Sequence, residues 1–566
     1  MEEMNRRNFM KLGAVGAVGI AGLAIPLGQQ VTARTPSTLA SRNFPRRYTA
    51  AFKRPPVLRP YATGTDEQGD YASYSVTAMA GAASIVPGLT TTIYGYNGIF
   101  PGPTISVERG TRSQVRVRNR LPALHPMFGH PFDISTHLHG SASLPQFDGY
   151  ANDVTSQNNF KNYEFPNFQD ARTLWYHDHG VHHTAENMYG GLAATYHLHD
   201  EFERGQLPQG EFDVPLVISD AMFAADGSLA FDDRTQSGLY GDVILVNGVP
   251  WPTMKVKPRV YRFRFLVASI SRSYRFSLSV GEPRFADSTG EPMTLVATDA
   301  GMLPVPVALQ TFRQGTAERY EILIDFSNYS NGTRLTLLNG SNPKNNNFAH
   351  TGKVMQFEVT DTAFDETNNT IPTTLDVDTS ALTTMALTPS MAKRTTRLRV
   401  NRDDRTNAWT INEMLWEDVI ESGFRDVVAS PDIGDVELWE IENRSGGWFH
   451  PMHIHLVDFK ILSRNSNDGQ PFPWERGPKD VVYLGPNDKV KLLVRFDVPP
   501  GSSGGRYMVH CHNLVHEDHD MMVQFKVGQN DPDNDPNDPI TAALPGYDDL
   551  PVDVPMYEPP VAGPGW

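Results

Sequence analysis

Short apolar stretches broken by Gly, Pro, Asn and Asp recur along most of the chain. Ile105-Ser-Val-Glu-Arg, Gln114-Val-Arg-Val-Arg, Tyr261-Arg-Phe-Arg-Phe-Leu-Val, Arg334-Leu-Thr-Leu-Leu and Val490-Lys-Leu-Leu-Val-Arg-Phe are examples. Where apolar residues alternate with period two they fall on one face of a sheet, so these stretches predict short strands. The spacing of the turn residues is that of β-sandwiches. Asp361 to Ser390, rich in Thr, Asp and Asn with two prolines, reads as a linker, and a softer boundary falls between Gly205 and Phe212. Asp531 to Trp566 holds seven Asp, one Glu, nine prolines and no Lys or Arg, and reads as a mobile or loosely wrapped acidic tail.

Composition narrows the class. With 566 residues, 39% hydrophobic and 20% charged, and a mean hydropathy of -0.38, the chain is too apolar for disorder and too polar for a membrane bundle. At roughly 150 residues per domain it holds about three to four domains. A net charge of -16 makes nucleic acid an unsuitable partner. Cys511 is the single cysteine, so no intramolecular disulfide can form. At the N-terminus, Asn5-Arg6-Arg7-Asn8-Phe9-Met10-Lys11 resembles a twin-arginine signal. An uncharged run from Leu12 to Gly28 follows, with small residues for cleavage at Val31-Thr32-Ala33. The resemblance implies export of an already folded protein to the periplasm or beyond, with no membrane span in the mature chain. That chain is expected to act as a monomer.

The candidate chemistry lies in the histidines. Of 18, ten fall into four tight groups: His137-Leu-His139, His177-Asp-His179, His450-Pro-Met-His453-Ile-His455, and His510-Cys511-His512 with His516. On a strand, residues i and i+2 share a face, so each His-x-His pair presents two imidazoles to one point. Eight such nitrogens suffice for several copper ions. In the last group His510 and His512 point one way and Cys511 the other, so the cysteine serves a different metal. His450, Cys511, His516 and Met521 together make two His, one thiolate and a weak axial Met, the ligand set of a blue-copper site. His137, His139, His177, His179, His453, His455, His510 and His512 are left for a cluster, which parity does not divide further. His197-Leu-His199 has the same spacing and is read as a strand-surface pair; His182 and His183 are read as loop residues.

These motifs resemble the multicopper oxidases, and within them the bilirubin oxidases and spore-coat laccases. The resemblance rests on the four histidine motifs in order, on Phe147-Asp148-Gly149, Gly241-Asp-Val-Ile-Leu-Val-Asn-Gly248, the run Trp448 to Lys460, Lys479-Asp-Val-Val482 and the run His510 to Met522. It extends from about residue 50 to about residue 527. It implies an all-β chain of three cupredoxin-like Greek-key barrels: 45–208 with cluster ligands, 209–375 mainly as a spacer, and 391–528 with the blue copper and further cluster ligands. Residues 1–33 are then the signal and 529–566 the tail. It also implies four copper ions. The type 1 ion takes His450, Cys511, His516 and Met521, and the type 2 ion takes His137 and His453. The type 3 pair takes His139, His177, His179, His455, His510 and His512. Asp148 and Glu517 occupy the positions of acids that serve oxygen reduction at the cluster.

The implied activity is a copper oxidoreductase that takes electrons singly from bilirubin-like tetrapyrroles, phenols or aromatic amines and reduces dioxygen to water. A donor would approach an exposed edge of His516 or His450, and Trp448 would pack beside that site. The alternative is a metallo-oxidase acting on Cu(I), Mn(II) or Fe(II), whose mark would be a Met-rich insertion or an acidic cluster near the blue site; the 19 methionines are dispersed. A passive copper-storage protein would need neither a cluster nor proton donors.

Overall fold

The computed structural model describes residues 37–283, 290–362, 364, 366–378, 384–528, 539–541, 543–546 and 555–559. The export signal read over 1–33 and much of the acidic tail lie outside the described residues. Among the described residues no helix is long and apolar enough to cross a membrane.

The chain is all-β, built as three successive pairs of sheets with cupredoxin-like architecture. The first pair is a six-stranded sheet around Gly69–Ala83 and a four-stranded sheet in the order Ile105–Glu108, Ala193–His199, Arg172–Asp178, Thr136–His139. Seven- and five-stranded sheets form the second pair. A five-stranded sheet and a four-stranded sheet ordered Val481–Leu484, His450–Ile454, Gly505–Cys511, Met522–Val527 form the third. Each pair encloses its own apolar core, the largest being that of the middle pair around Phe263, Phe265, Phe276 and Phe312.

Alternation places the apolar residues as the pattern predicts, but the polar face is not always solvent. In Val260–Val267, Tyr261, Phe263 and Phe265 enter the middle core while Arg262 and Arg264 point the other way and are still fully buried. They meet Glu203, Asp213 and Glu321, with Arg264 Nε 2.7 Å from Asp213 and Nη1 3.0 Å from Glu321. Thr173 of the first sheet pair donates to the same Glu321 at 2.7 Å. The contact between first and second domains is thus a dry charged network, which is stable only when complete.

The described parts of the tail are bound to the first domain. Leu544–Pro545 pairs with the Asn159–Phe165 strand, and Tyr557 bridges to Leu58 and packs on the first core. The linker is also anchored, since Leu375 is buried and its N–H donates to Pro304 O at 2.9 Å.

Replacing Arg264 by Met leaves Asp213 and Glu321 short of a cation in a dry interface. Arg264→Met is expected to cost about 3–5 kcal/mol, read as a lower urea midpoint than wild type.

Candidate metal centre

The cross-strand register builds the centre. Thr136–His139 runs antiparallel to Arg172–Asp178 with His137 opposite His177 and His139 opposite Trp175. His450–Ile454 runs antiparallel to Gly505–Cys511 with His453 opposite His510 and Met452 opposite Cys511. The two four-stranded sheets bring these pairs edge to edge, so rings from the first and third domains meet: His137 and His455 centroids are 4.0 Å apart, and His139 and His453 stack at 3.7 Å. All ten rings of the four groups are 1% exposed or less.

Most rings have one nitrogen committed to a polar partner and the other turned inward, whereas His512 has no hydrogen bond on either nitrogen and His179 none on Nδ1. His177 Nδ1 donates to Asp178 O at 2.8 Å, His453 Nδ1 to Asp480 O at 2.9 Å, and His137 Nδ1 to Asp148 O. Their Nε2 atoms are buried without a hydrogen-bond partner. His139 is turned over: Nε2 lies 3.1 Å from Asp480 Oδ1, and Nδ1 is the unpartnered nitrogen. His455 Nδ1 donates to Asp148 Oδ2 at 2.8 Å, and His510 Nδ1 faces Glu517 Oε2 at 2.8 Å. The Nε2 atoms of His455 and His179 then each stand 3.1–3.2 Å from that of His510. Burial pushes His177 down to about 3 and His179 to about 4, and holds His137, His139, His453, His455 and His512 well below the usual imidazole range. Neutral rings with converging lone pairs are the donor set of a cluster of copper-type cations, and the residues fit that group.

A second convergence lies on the other side of Cys511. Its Sγ is 3.4 Å from His450 Nδ1 and 3.6 Å from His516 Nδ1, and the two nitrogens are 3.2 Å apart. His450 Nε2 meets Ser445 Oγ at 2.8 Å, and His516 Nε2 meets Ser237 O at 3.2 Å, which leaves both Nδ1 atoms for a metal. Burial raises the Cys511 thiol, so a thiolate here requires a bound cation. Met521 is fully buried in the same apolar cluster as Cys511, and its carbonyl accepts the Cys511 N–H at 3.2 Å.

The acids differ. Asp148 is pushed well above the usual carboxylate range by burial, and its Oδ1 has no hydrogen-bond partner. Burial also works to raise Glu517, but the His510 and His179 rings outweigh it and hold the carboxylate at about 2. Gly149 fixes Asp148 in place: it has φ +74°, and a Cβ there would lie 2.5 Å from the His137 Cα. Asp518 accepts the N–H groups of Thr184 and Ala185.

Several expectations change. His450 and His516 expose no edge, since both are completely buried. The segment 231–238 of the middle domain lies over His516 through the Ser237 carbonyl, and Trp409 packs 4.3 Å from the His516 ring and 5.2 Å from that of His450. Trp448 packs on Trp409 at 5.7 Å and remains partly exposed. His197 and His199 are not a surface pair but are buried, with His199 Nδ1 3.1 Å from Glu203. The middle domain is more than a spacer: Arg319 donates to Asp480 Oδ1 at 2.7 Å and to Thr173 O at 2.9 Å, so it clamps the carboxylate that His139 leans on. Trp409 and Arg319 carry no local pattern that marks them as site residues, and Asp480 stands out in the sequence only as part of the Lys479–Val482 run, with no role attached.

Comparison with known proteins agrees with this geometry. Models of the multicopper oxidase family match residues 78–200 and 386–531, the two segments that supply the histidines. The bilirubin oxidase of Albifimbria verrucaria is 40% identical over 493 residues, covering 84% of this chain and 81% of that protein. A laccase of Bacillus subtilis is 33% identical, covering 76% and 89%. The crystal structure of the McoA multicopper oxidase of Aquifex aeolicus superposes with a TM-score of 0.70 at 28% identity, covering 84% of this chain and all of that one. Fold and site thus define a copper-dependent oxidoreductase. The chain belongs to the multicopper oxidase family.

Asp480→Asn keeps the carbonyl that holds His453 but strands the Arg319 guanidinium and weakens the hold on His139. It is expected to reduce copper retention by about 10- to 100-fold, measured as copper left on the folded protein after dialysis against a graded series of chelator.

Proposed function

We propose that the protein is an exported, monomeric oxidase that withdraws electrons one at a time from bulky organic reductants, namely bilirubin-like tetrapyrroles, phenols and aromatic amines, and reduces dioxygen to water. The observation that carries this reading is the Gly505–Cys511 strand and its continuation, which set Cys511 in one three-donor site and its covalent neighbours His510 and His512 in another. On this reading His450, Cys511, His516 and Met521 hold a type 1 copper, and His137 and His453 hold the type 2. His139, His177, His179, His455, His510 and His512 hold the type 3 pair, four ions in all. Bound there, copper supplies one-electron exchange with the donor and the multi-electron reduction of dioxygen.

The chain's own residues do the rest. Cys511 gives a continuous through-bond path between the two sites, running from its sulfur through the adjoining backbone to the His510 and His512 rings. Asp148 keeps a proton at its unpartnered oxygen beside His455 and His137, while Glu517 stays ionised against His510, so one acid holds a proton to give and the other a lone pair to take one. The cover at 231–238 with Trp409 and Trp448 keeps water from the mononuclear site, and donors dock on that cover rather than on a ligand ring. Its acidic residues are already paired, Asp232 with Arg234 and Asp233 with His519, which favours organic donors over cations. Export rests on the Arg6-Arg7 signal.

Oxygen uptake by the copper-loaded protein, followed side by side with bilirubin, a methoxyphenol, Cu(I) and Mn(II), is expected to be fast with the organic donors. Selective turnover of the metal ions would make it a metallo-oxidase instead. Cys511→Ser is expected to abolish the blue absorption and donor oxidation together. Asp148→Asn is expected to slow oxygen consumption by about 10²- to 10⁴-fold and to leave anaerobic bleaching of the blue absorption by the donor unchanged.

A further inference from the structure

Outside the copper centre, another set of metal-type donors comes together. His130 precedes the Thr136–His139 strand, His183 is the N-cap of the Thr184–Gly190 helix, and Glu186 lies three residues on, on the same helix face. His130 Nε2 is 2.6 Å from Glu186 Oε2, and His183 Nδ1 is 3.3 Å from the same oxygen. The two imidazoles stack with centroids 3.6 Å apart and planes 15° from parallel. The Glu186 side chain is 6% exposed, while the rings are 19% and 25% exposed, so the group opens to solvent on the imidazole side.

Hydrogen-bond direction shows what the cluster lacks. His130 Nδ1 is 2.8 Å from Pro131 O, and a carbonyl can only accept, so that nitrogen carries the hydrogen. A neutral His130 ring then aims a lone pair at a carboxylate oxygen that also only accepts. Two acceptors 2.6 Å apart require a cation. A proton on His130 would meet that need for one ring, at the cost of placing an imidazolium 3.6 Å beneath the His183 ring. A divalent ion would use all three donors at once. The copper-centre rings are built in the same way: His137, His177 and His453 each anchor one N–H on a backbone carbonyl and leave the other nitrogen for a metal.

We propose that His130, His183 and Glu186 form a binding site for one divalent transition-metal ion, distinct from the copper centre. Two imidazoles and a carboxylate with a position open to water are the donors that Zn²⁺ and ions of similar softness take. Tetrahedral ligand distances of about 2.0–2.2 Å set the donors about 3.3–3.6 Å apart, so the His183–Glu186 separation of 3.3 Å already fits and the His130–Glu186 separation of 2.6 Å has to open by most of an ångström. The bound ion cross-links two segments that reach the copper centre. The helix begins with Thr184 and Ala185, whose N–H groups hold Asp518 next to Glu517, and Phe128 near His130 packs edge-on to Phe231 at the start of the cover over His516.

The test uses the copper-loaded full chain dialysed against micromolar Zn²⁺ at neutral pH, with zinc and copper measured in the same sample. One more zinc per chain is expected in wild type than in the His130→Gln/His183→Gln double variant, with copper content and blue absorption unchanged. Glu186→Gln is expected to bind zinc at least ten-fold more weakly. Equal zinc in wild type and the double variant, both holding their copper, would overturn the proposal and leave a proton-bridged ion pair. If the double variant does not fold, zinc-edge X-ray absorption on wild type decides: two imidazoles in the zinc shell support the site, and an all-oxygen shell overturns it.

Discussion

Ten imidazoles and a thiol packed where water cannot reach leave buried lone pairs that need a positive partner, and the architecture follows from that constraint. An unsatisfied polar atom in such surroundings costs on the order of 1–3 kcal/mol, and several lie side by side here. Most rings are therefore held through one nitrogen, by Asp148, Asp178, Asp480, Glu517, Ser445 or Ser237, with the other nitrogen directed into one of the two sites, while the His512 ring has no such bond. The tautomers are set by these partners, and His139 uses the opposite nitrogen from His137 because Asp480 faces its Nε2. Cation binding and folding are consequently linked, since the donors meet only when the first and third domains are docked.

Docking is held by charge as much as by apolar contact. Arg319 of the middle domain joins Thr173 of the first to Asp480 of the third, so one guanidinium fixes all three domains around the cluster. The Arg262, Arg264, Glu203, Asp213 and Glu321 network repeats the device between the first two domains. Such networks add geometric specificity, because their members are satisfied in one arrangement only. A cluster whose ligands come from two domains needs that kind of rigid registration.

The cover over the mononuclear site divides the work of the enzyme in space. The cluster ligands are buried between the first and third domains, whereas the mononuclear site is covered by the 231–238 segment, Trp409 and Trp448, which come from the middle and third domains. On the reading proposed above, electrons cross that shell without the donor touching a ligand, because His450 and His516 are completely buried beneath it.

The all-β class, the two groups of converging histidines and the meeting of His450 and His516 with Cys511 were legible in the sequence because they depend on local rules. Period-two alternation fixes which side chains share a face, and a His-Cys-His run on a strand separates its members by parity alone. The assignment of individual histidines within the cluster, and of Asp148 and Glu517 to it, came through family resemblance rather than spacing. What only the tertiary structure decided are long-range pairings: Arg319 with Asp480 across 161 positions, His455 with Asp148 across 307, and the covering of His516 by Ser237 across 279. The same holds for His130 and Glu186, 56 positions apart. Periodicity reports which face a side chain takes, but which domain lies against that face is set by the packing of whole sheets, and so Arg262, Arg264, Arg319 and Glu321 are found buried at the joints.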